Sequence, residues 1–93
     1  MKTLSKENNI VSIKKCNVNF KLGIGTSCHK PNHVTMNQLN CYTKHIWIEY
    51  EGYWYLSSIV YSELDKLLNN MNKLYCKEQV VNFLLDNICI SKS

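Results

Sequence analysis

Residues 45–56, HIWIEYEGYWYL, carry the clearest structural signal in the sequence. β-Branched and aromatic residues run up to Glu51-Gly52 and resume directly after it, and an x-Gly dipeptide between two such runs is typical of a β-hairpin. With a two-residue loop, Tyr50 would face Tyr53. A three-residue loop with a glycine bulge would shift that register, and the sequence leaves both open. Either way, both faces of the hairpin carry aromatic side chains.

Two further strands are predicted on the N-terminal side of this hairpin. Residues 10–13 and 18–22 alternate in part between apolar and polar side chains, as half-buried strands do. Residues 14–17 would form the turn between them. Gly23 and Gly25 are expected to end the second strand or to bulge it. Residues 27–40 read as a long loop, and residues 1–9 as a disordered tail.

The C-terminal part changes to a helical period. Apolar side chains at positions 60, 64, 67, 68, 71, 74 and 75 form one continuous stripe, which predicts a helix from about Ser58 to Tyr75. Ser58 and Ser62 are alternative N-caps. A second helix is predicted from about Glu78 to Ile88, with Val81, Leu84, Leu85 and Ile88 on one face.

Strands followed by helices indicate an α+β fold. We expect a single domain over residues 1–93, with an N-terminal antiparallel sheet of three or four strands packed on one face by two C-terminal helices. No run of about 18 apolar residues is present, so no membrane contact is expected. The first nine residues lack the apolar core of a signal peptide, and five cysteines is an odd number, so we expect free thiols and a cytoplasmic location.

The charge is unevenly distributed. The net charge is +4, but residues 1–45 hold seven lysines and one acid (+6), and residues 46–93 hold four lysines and six acids (−2). The chain has no arginine and no alanine, while Asn, Lys, Ile and Tyr are abundant. These four residues have AT-rich codons, which indicates an AT-rich genome, such as that of a low-GC bacterium, its phage or plasmid, or a large virus.

A basic surface is predicted for the N-terminal half. It would neutralise nucleic-acid phosphates or contact an acidic protein, and the nearby aromatic side chains would supply base stacking in the first case. Absence of arginine counts against base readout, because arginine makes the commonest specific base contact. The candidate residues are Lys14, Lys15, Lys21, Lys30 and Lys44.

A zinc site is a less favoured alternative. Two thiols and two imidazoles are spaced as Cys-x4-His-x7-Cys-x3-His, namely Cys28, His33, Cys41 and His45. These are ligands that zinc prefers, but structural zinc sites usually open with a tighter Cys-x2–4-Cys pair. We therefore expect no cofactor.

Catalysis is not expected. A nucleophilic cysteine needs a base that the fold brings within hydrogen-bond reach, and the adjacency of Cys28 and His29 does not supply one. Residues 21–27 contain two glycines, hydroxyls and a lysine, but they match neither a Walker loop nor a dinucleotide fingerprint. Capture of a nucleotide messenger remains a further alternative function.

The aromatic side chains favour binding of a protein. Five of the eight Trp and Tyr residues lie within residues 47–55, and such residues anchor interfaces. We therefore predict a non-enzymatic binding protein, encoded by a phage or mobile element, that inhibits or redirects a host protein complex in the host cytoplasm. A small nucleic-acid-binding regulator is the alternative, and self-association into a homo-oligomer is compatible with both. The candidate anchors are Trp47, Tyr53, Trp54 and Tyr55.

Overall fold

Four strands precede two helices in the computed structural model of the chain, which describes residues 9–31 and 43–89. The elements are β1 (Ile10–Lys15), β2 (Val18–Gly25), β3 (His45–Tyr50), β4 (Tyr53–Val60), a 3₁₀ turn (Tyr61–Glu63), α1 (Leu64–Met71) and α2 (Lys77–Asn87). The strands form one antiparallel sheet in the order β1-β2-β3-β4. The predicted α+β architecture is confirmed.

The hairpin between β3 and β4 has the two-residue loop. Glu51 and Gly52 have φ angles of 53° and 87°, and positive φ at both central residues is the type I′ geometry that matches strand twist. Tyr50 therefore lies opposite Tyr53, and the alternative with a glycine bulge is excluded.

The hairpin between β1 and β2 uses the same geometry with less favourable residues. Cys16 and Asn17 have φ angles of 51° and 66°, and Lys15 pairs with Val18 across the turn. Asparagine tolerates the left-handed region, whereas cysteine adopts it less readily. The predicted turn at residues 14–17 is thus present, but it is confined to its last two residues.

The hydrophobic core lies between the sheet and the helices. Alternate residues of β2 and β3 point to one face, and the two helices cover that face with their apolar stripes. We call this the helix face and the opposite one the outer face. The buried core residues are Val18, Phe20, Leu22, Ile24, Ile46, Ile48, Leu64, Leu67, Met71, Val80 and Leu84.

Three strands are longer than the sequence predicts, and the first of them, β1, continues to Lys15. β2 continues through Gly23 and Gly25 instead of ending there, because both glycines pair with β3. β4 continues to Val60, which pairs with His45, so the expectation that the helical segment starts at about Ser58 is wrong. The β-branched side chains of Ile59 and Val60 suit this extension of the strand.

The first helix is correspondingly shorter than predicted, whereas the second, α2, agrees with its predicted bounds to within one residue. Neither serine proposed as an N-cap caps α1, which begins at Leu64 after the 3₁₀ turn. The Glu63 carboxylate instead accepts a hydrogen bond from the Val60 N–H at 3.3 Å. Leu74 and Tyr75 lie in the link before α2, where the Tyr75 N–H donates to the Gln79 side chain at 2.7 Å. Leu74 and Tyr75 fit the helical spacing of apolar residues although the helix has already ended, so this spacing placed the end of the helix too late.

The chain after α2 returns to the edge of the sheet. Ser57 in β4 forms an antiparallel bridge with Ile88, and the Cys89 N–H donates to the Leu56 carbonyl at 2.7 Å. The pairing of β3 with β4 is irregular between His45 and Trp47. Because Ile88 and Cys89 pair with β4, they occupy part of the edge of β4 that faces away from β3.

No helix within residues 9–31 and 43–89 is long and apolar enough to cross a membrane. The predicted tail lies outside the described residues except for Asn9, whose carbonyl accepts a hydrogen bond from the Ile24 N–H at 2.8 Å. Of the predicted loop at 27–40, the described residues 27–31 form neither helix nor strand.

Candidate protein-binding surface

Residues 26–31 fold back over the outer face of the sheet, and we call them the covering loop. The space next to two glycines of β2 is filled by this loop. A methyl group added to Gly23 would lie 2.7 Å from Pro31 Cβ, and one added to Gly25 would collide with the His29 carbonyl oxygen. Gly23 and Gly25, the two glycines of residues 21–27, thus allow the covering loop to pack closely against β2.

Thr26 organises the covering loop. Its Oγ1 accepts hydrogen bonds from the backbone N–H groups of Cys28 (3.3 Å) and His29 (3.1 Å), as in the turns that Ser and Thr favour. The same oxygen lies 2.9 Å from His29 Nδ1. The Thr26 N–H donates to the His29 carbonyl at 3.0 Å. These contacts make residues 26–29 a closed turn that leaves Cys28 and His29 exposed.

Trp47 is a support for the covering loop. It is only 9% exposed, and its Nε1 donates to the Thr26 carbonyl at 2.9 Å. Trp54 is half-buried on the same face, with its ring against Gly23. Two of the four predicted partner anchors therefore have an internal packing role on the outer face.

Tyr53 and Tyr55 have a different environment, and we call them the tyrosine pair. They are 68% and 37% exposed. They are two positions apart on β4, opposite Tyr50 and Ile48, so both rings are on the helix face, about 7 Å apart along the strand. The structure therefore divides the predicted aromatic surface between the two faces of the hairpin and leaves the tyrosine pair accessible.

Three other large side chains are exposed that were not predicted as anchors, and the first of them, Tyr61, is 36% exposed in the 3₁₀ turn. Tyr75 is 85% exposed in the link between the helices, and Leu85 is 54% exposed on α2. Leu85 was expected on the apolar face, but Val80 and Leu84 hold the buried positions of that helix. No sequence signal separates Leu85 from Leu84, because adjacent leucines fit the helical period about equally well.

The predicted basic residues do not share one face. Lys14 and Lys21 are on the outer face, whereas Lys15, next to Lys14 in β1, points to the helix face. Lys30 is exposed on the covering loop, and Lys44 precedes β3. The positive charges are thus distributed around the domain and do not form one stripe.

An open groove of about 440 Å³ lies on the outer face near the two hairpin turns. Its charged lining residues are Lys14, Lys21, Glu49 and Glu51, so the formal charges cancel. Lys21 Nζ is 3.9 Å from Glu49 Oε1, directly across the β2–β3 pairing. This balance offers no concentrated positive field to a phosphate backbone.

The predicted zinc ligands are only partly described. Cys28 is exposed on the covering loop and His45 is half-buried at the start of β3, while His33 and Cys41 lie outside the described residues. Within residues 9–31 and 43–89, no group of three His, Cys, Asp or Glu side chains is placed to hold a metal ion. Cys16, Cys28, Cys76 and Cys89 are free thiols.

Comparison of the chain with protein-family models, with curated proteins and with solved structures gave no match. The chemistry of the described surface is therefore the basis for a functional proposal. Its most distinctive element is the tyrosine pair, because Tyr53 and Tyr55 are exposed next to each other and tyrosine is enriched at protein interfaces.

Proposed function

We propose that the chain is a non-enzymatic protein-binding domain and that the tyrosine pair anchors its partner. The observation that carries this proposal is the exposure of Tyr53, at 68%, beside Tyr55 on one face of β4. Tyrosine gives an interface a rigid apolar ring with a polar tip, at a small cost in conformational entropy.

The position of the pair on an edge strand supports this role. Leu56 directs its carbonyl away from β3, since that carbonyl accepts the Cys89 N–H. Because such groups alternate along an antiparallel strand, the backbone groups of Trp54 also point away from β3. A partner at this edge would contact two aromatic rings and the polar backbone between them. The rings would provide contact area, and the backbone hydrogen bonds would fix the orientation of the partner.

Composition supports a more specific proposal. The absence of Ala and Arg indicates an AT-rich genome, and small AT-rich chains without a catalytic set suit a phage or mobile element. We propose that the domain acts in the host cytoplasm, where it inhibits or redirects a host protein complex such as a defence nuclease.

Nucleic-acid binding is less favoured. The groove is electrically balanced, and the lysines lie on both faces of the sheet. A nucleic-acid complex would weaken steeply as salt rises, through release of counterions. An interface anchored by tyrosines would depend only weakly on salt.

The test compares three variants in affinity capture from host lysate, with and without nuclease. Tyr53→Ala and Tyr55→Ala are the test variants, and Tyr75→Ala is the matched control, because Tyr75 is also exposed but lies outside the hairpin. Truncation of an interface anchor costs at least about 2 kcal/mol, which is about 30-fold in Kd. We expect the two hairpin variants to lose a nuclease-resistant partner that wild type and Tyr75→Ala retain.

The same variants also test the alternatives. Circular dichroism must first establish that each variant folds, which is expected since the truncated rings are exposed. Equal capture by all four proteins would refute the role of the tyrosine pair. Loss of every captured protein after nuclease treatment would favour nucleic acid instead.

A further inference from the structure

Among residues 9–31 and 43–89, the edge of β1 that faces away from β2 has backbone groups that no other strand pairs with. The Asn9 carbonyl accepts the Ile24 N–H, and the register opposes Ile10 to Gly23, so Asn9 belongs to a hydrogen-bonded pair. Hydrogen-bonded and non-hydrogen-bonded pairs alternate along an antiparallel ladder. The N–H and C=O groups of Ile10, Ser12 and Lys14 therefore point away from β2.

The two edges of the sheet differ in how they are covered. Ile88 and Cys89 occupy part of the outer edge of β4. Within residues 9–31 and 43–89, no strand pairs with the outer side of β1, which is the first strand in the sheet order. An open edge of six residues is a template for pairing with another strand.

The helices cover the helix face less completely at β1 than at β2. Val11 and Ile13 point to the helix face, opposite Leu22 and Phe20, yet they are only half-buried while their partners are buried. The main helix contacts are those of α2 with β2 and of both helices with β4. The apolar layer thus extends to the margin of the sheet, where a neighbouring strand would complete its burial.

We propose that this edge binds a second copy of the chain, through antiparallel pairing of the two β1 strands centred on Ser12. A two-fold axis normal to the sheet keeps the helix faces of both copies on the same side. Val11 of each copy then lies beside Ile13 of the other, so the two-fold axis generates two such apolar contacts. Ile10, Ser12 and Lys14 would exchange their free backbone hydrogen bonds across the junction.

The charges of β1 favour this arrangement. Antiparallel pairing centred on Ser12 places Lys14 of each copy opposite Ile10 of the other. The two Lys14 side chains then lie about 14 Å apart along the strands, at roughly 3.4 Å per residue. Parallel pairing in register would set Lys14 against Lys14, and like charges directly opposite are destabilising. The proposal does not rest on the tyrosine pair, which lies on the opposite edge strand.

The test is the mass of the full chain by sedimentation equilibrium over a concentration series. We expect wild type to reach twice its 10.9 kDa. Ser12→Pro removes an N–H that points away from β2, so it breaks no hydrogen bond of the ladder, and proline is tolerated at such edge positions. We expect this variant to stay monomeric, with unchanged circular dichroism.

Ser12→Val is the matched control, because it retains the N–H and favours a strand. It should be dimeric wherever wild type is. If Ser12→Pro fails to fold, Ile10→Pro removes another outward N–H at the first position of the strand, where proline is best accepted. A wild type that stays monomeric at its highest soluble concentration would overturn the proposal, as would a dimer that persists in both proline variants.

Discussion

Trp47 Nε1 donates a hydrogen bond of 2.9 Å to the carbonyl oxygen of Thr26, which joins the third strand to the start of the covering loop. The bond is buried, and a buried carbonyl left without a partner costs about 1–3 kcal/mol. The indole thus holds the loop on a sheet face that would otherwise be open to solvent.

Trp47→Phe should lower the free energy of unfolding by about 1–3 kcal/mol, because it removes the N–H but keeps most of the ring. Trp47→Ala should cost more, about 3–5 kcal/mol, because it also leaves a cavity. Urea denaturation measures both. A cost near zero for Trp47→Phe beside a full cost for Trp47→Ala would show that the hydrogen bond carries no stability of its own.

Gly23→Ala should destabilise the domain by about 1–3 kcal/mol, through overpacking against Pro31 and Trp54. The added methyl group would lie 2.7 Å from Pro31 Cβ and 3.0 Å from the Trp54 ring. In a Pro31→Gly background the first collision is absent, so the cost of Gly23→Ala should fall by at least about 0.5 kcal/mol in a double-mutant cycle. Additive costs would mean that Pro31 does not cover Gly23.

Ser57→Ala should cost about 1–3 kcal/mol. Ser57 is buried, and its Oγ donates to the Ile46 carbonyl at 2.6 Å and accepts the Ile59 N–H at 3.1 Å. Both backbone groups lie where the β3–β4 ladder is irregular, so alanine leaves them without this partner. Ser58→Ala, at the exposed neighbouring position, is the control and should change stability by no more than about 0.5 kcal/mol.

Glu51→Asn should stabilise the domain by up to about 1 kcal/mol. Glu51 has a φ of 53°, a region that costs most L-residues about 1–2 kcal/mol, whereas asparagine tolerates it. Thermal unfolding should shift upward by about 4–8 °C per kcal/mol in a domain of this size. Glu51→Gln removes the same charge but keeps the strain, so a gain of equal size in that variant would point to electrostatics instead.

The candidate surface could be predicted from the sequence only in part. The abundance of aromatic residues in residues 47–55 predicted a binding surface on this hairpin, where the structure leaves Tyr53 and Tyr55 accessible. The division between buried and accessible rings could not be read, since Trp47 is covered by residues more than fifteen positions earlier in the chain. Alternation separates Trp54 from Tyr53 and Tyr55, but it does not say what covers either face.

The α+β class, the order of strands and helices and the position of the second hairpin could be predicted from the sequence, because these features depend on local period and turn chemistry. The continuation of β2 through Gly23 and Gly25, the extension of β4 to Val60 and the shielding of Trp47 by the covering loop could not. Each of these depends on contacts between segments distant in sequence. A glycine that weakens an isolated strand is favoured where another segment packs against it, and no local pattern records that contact.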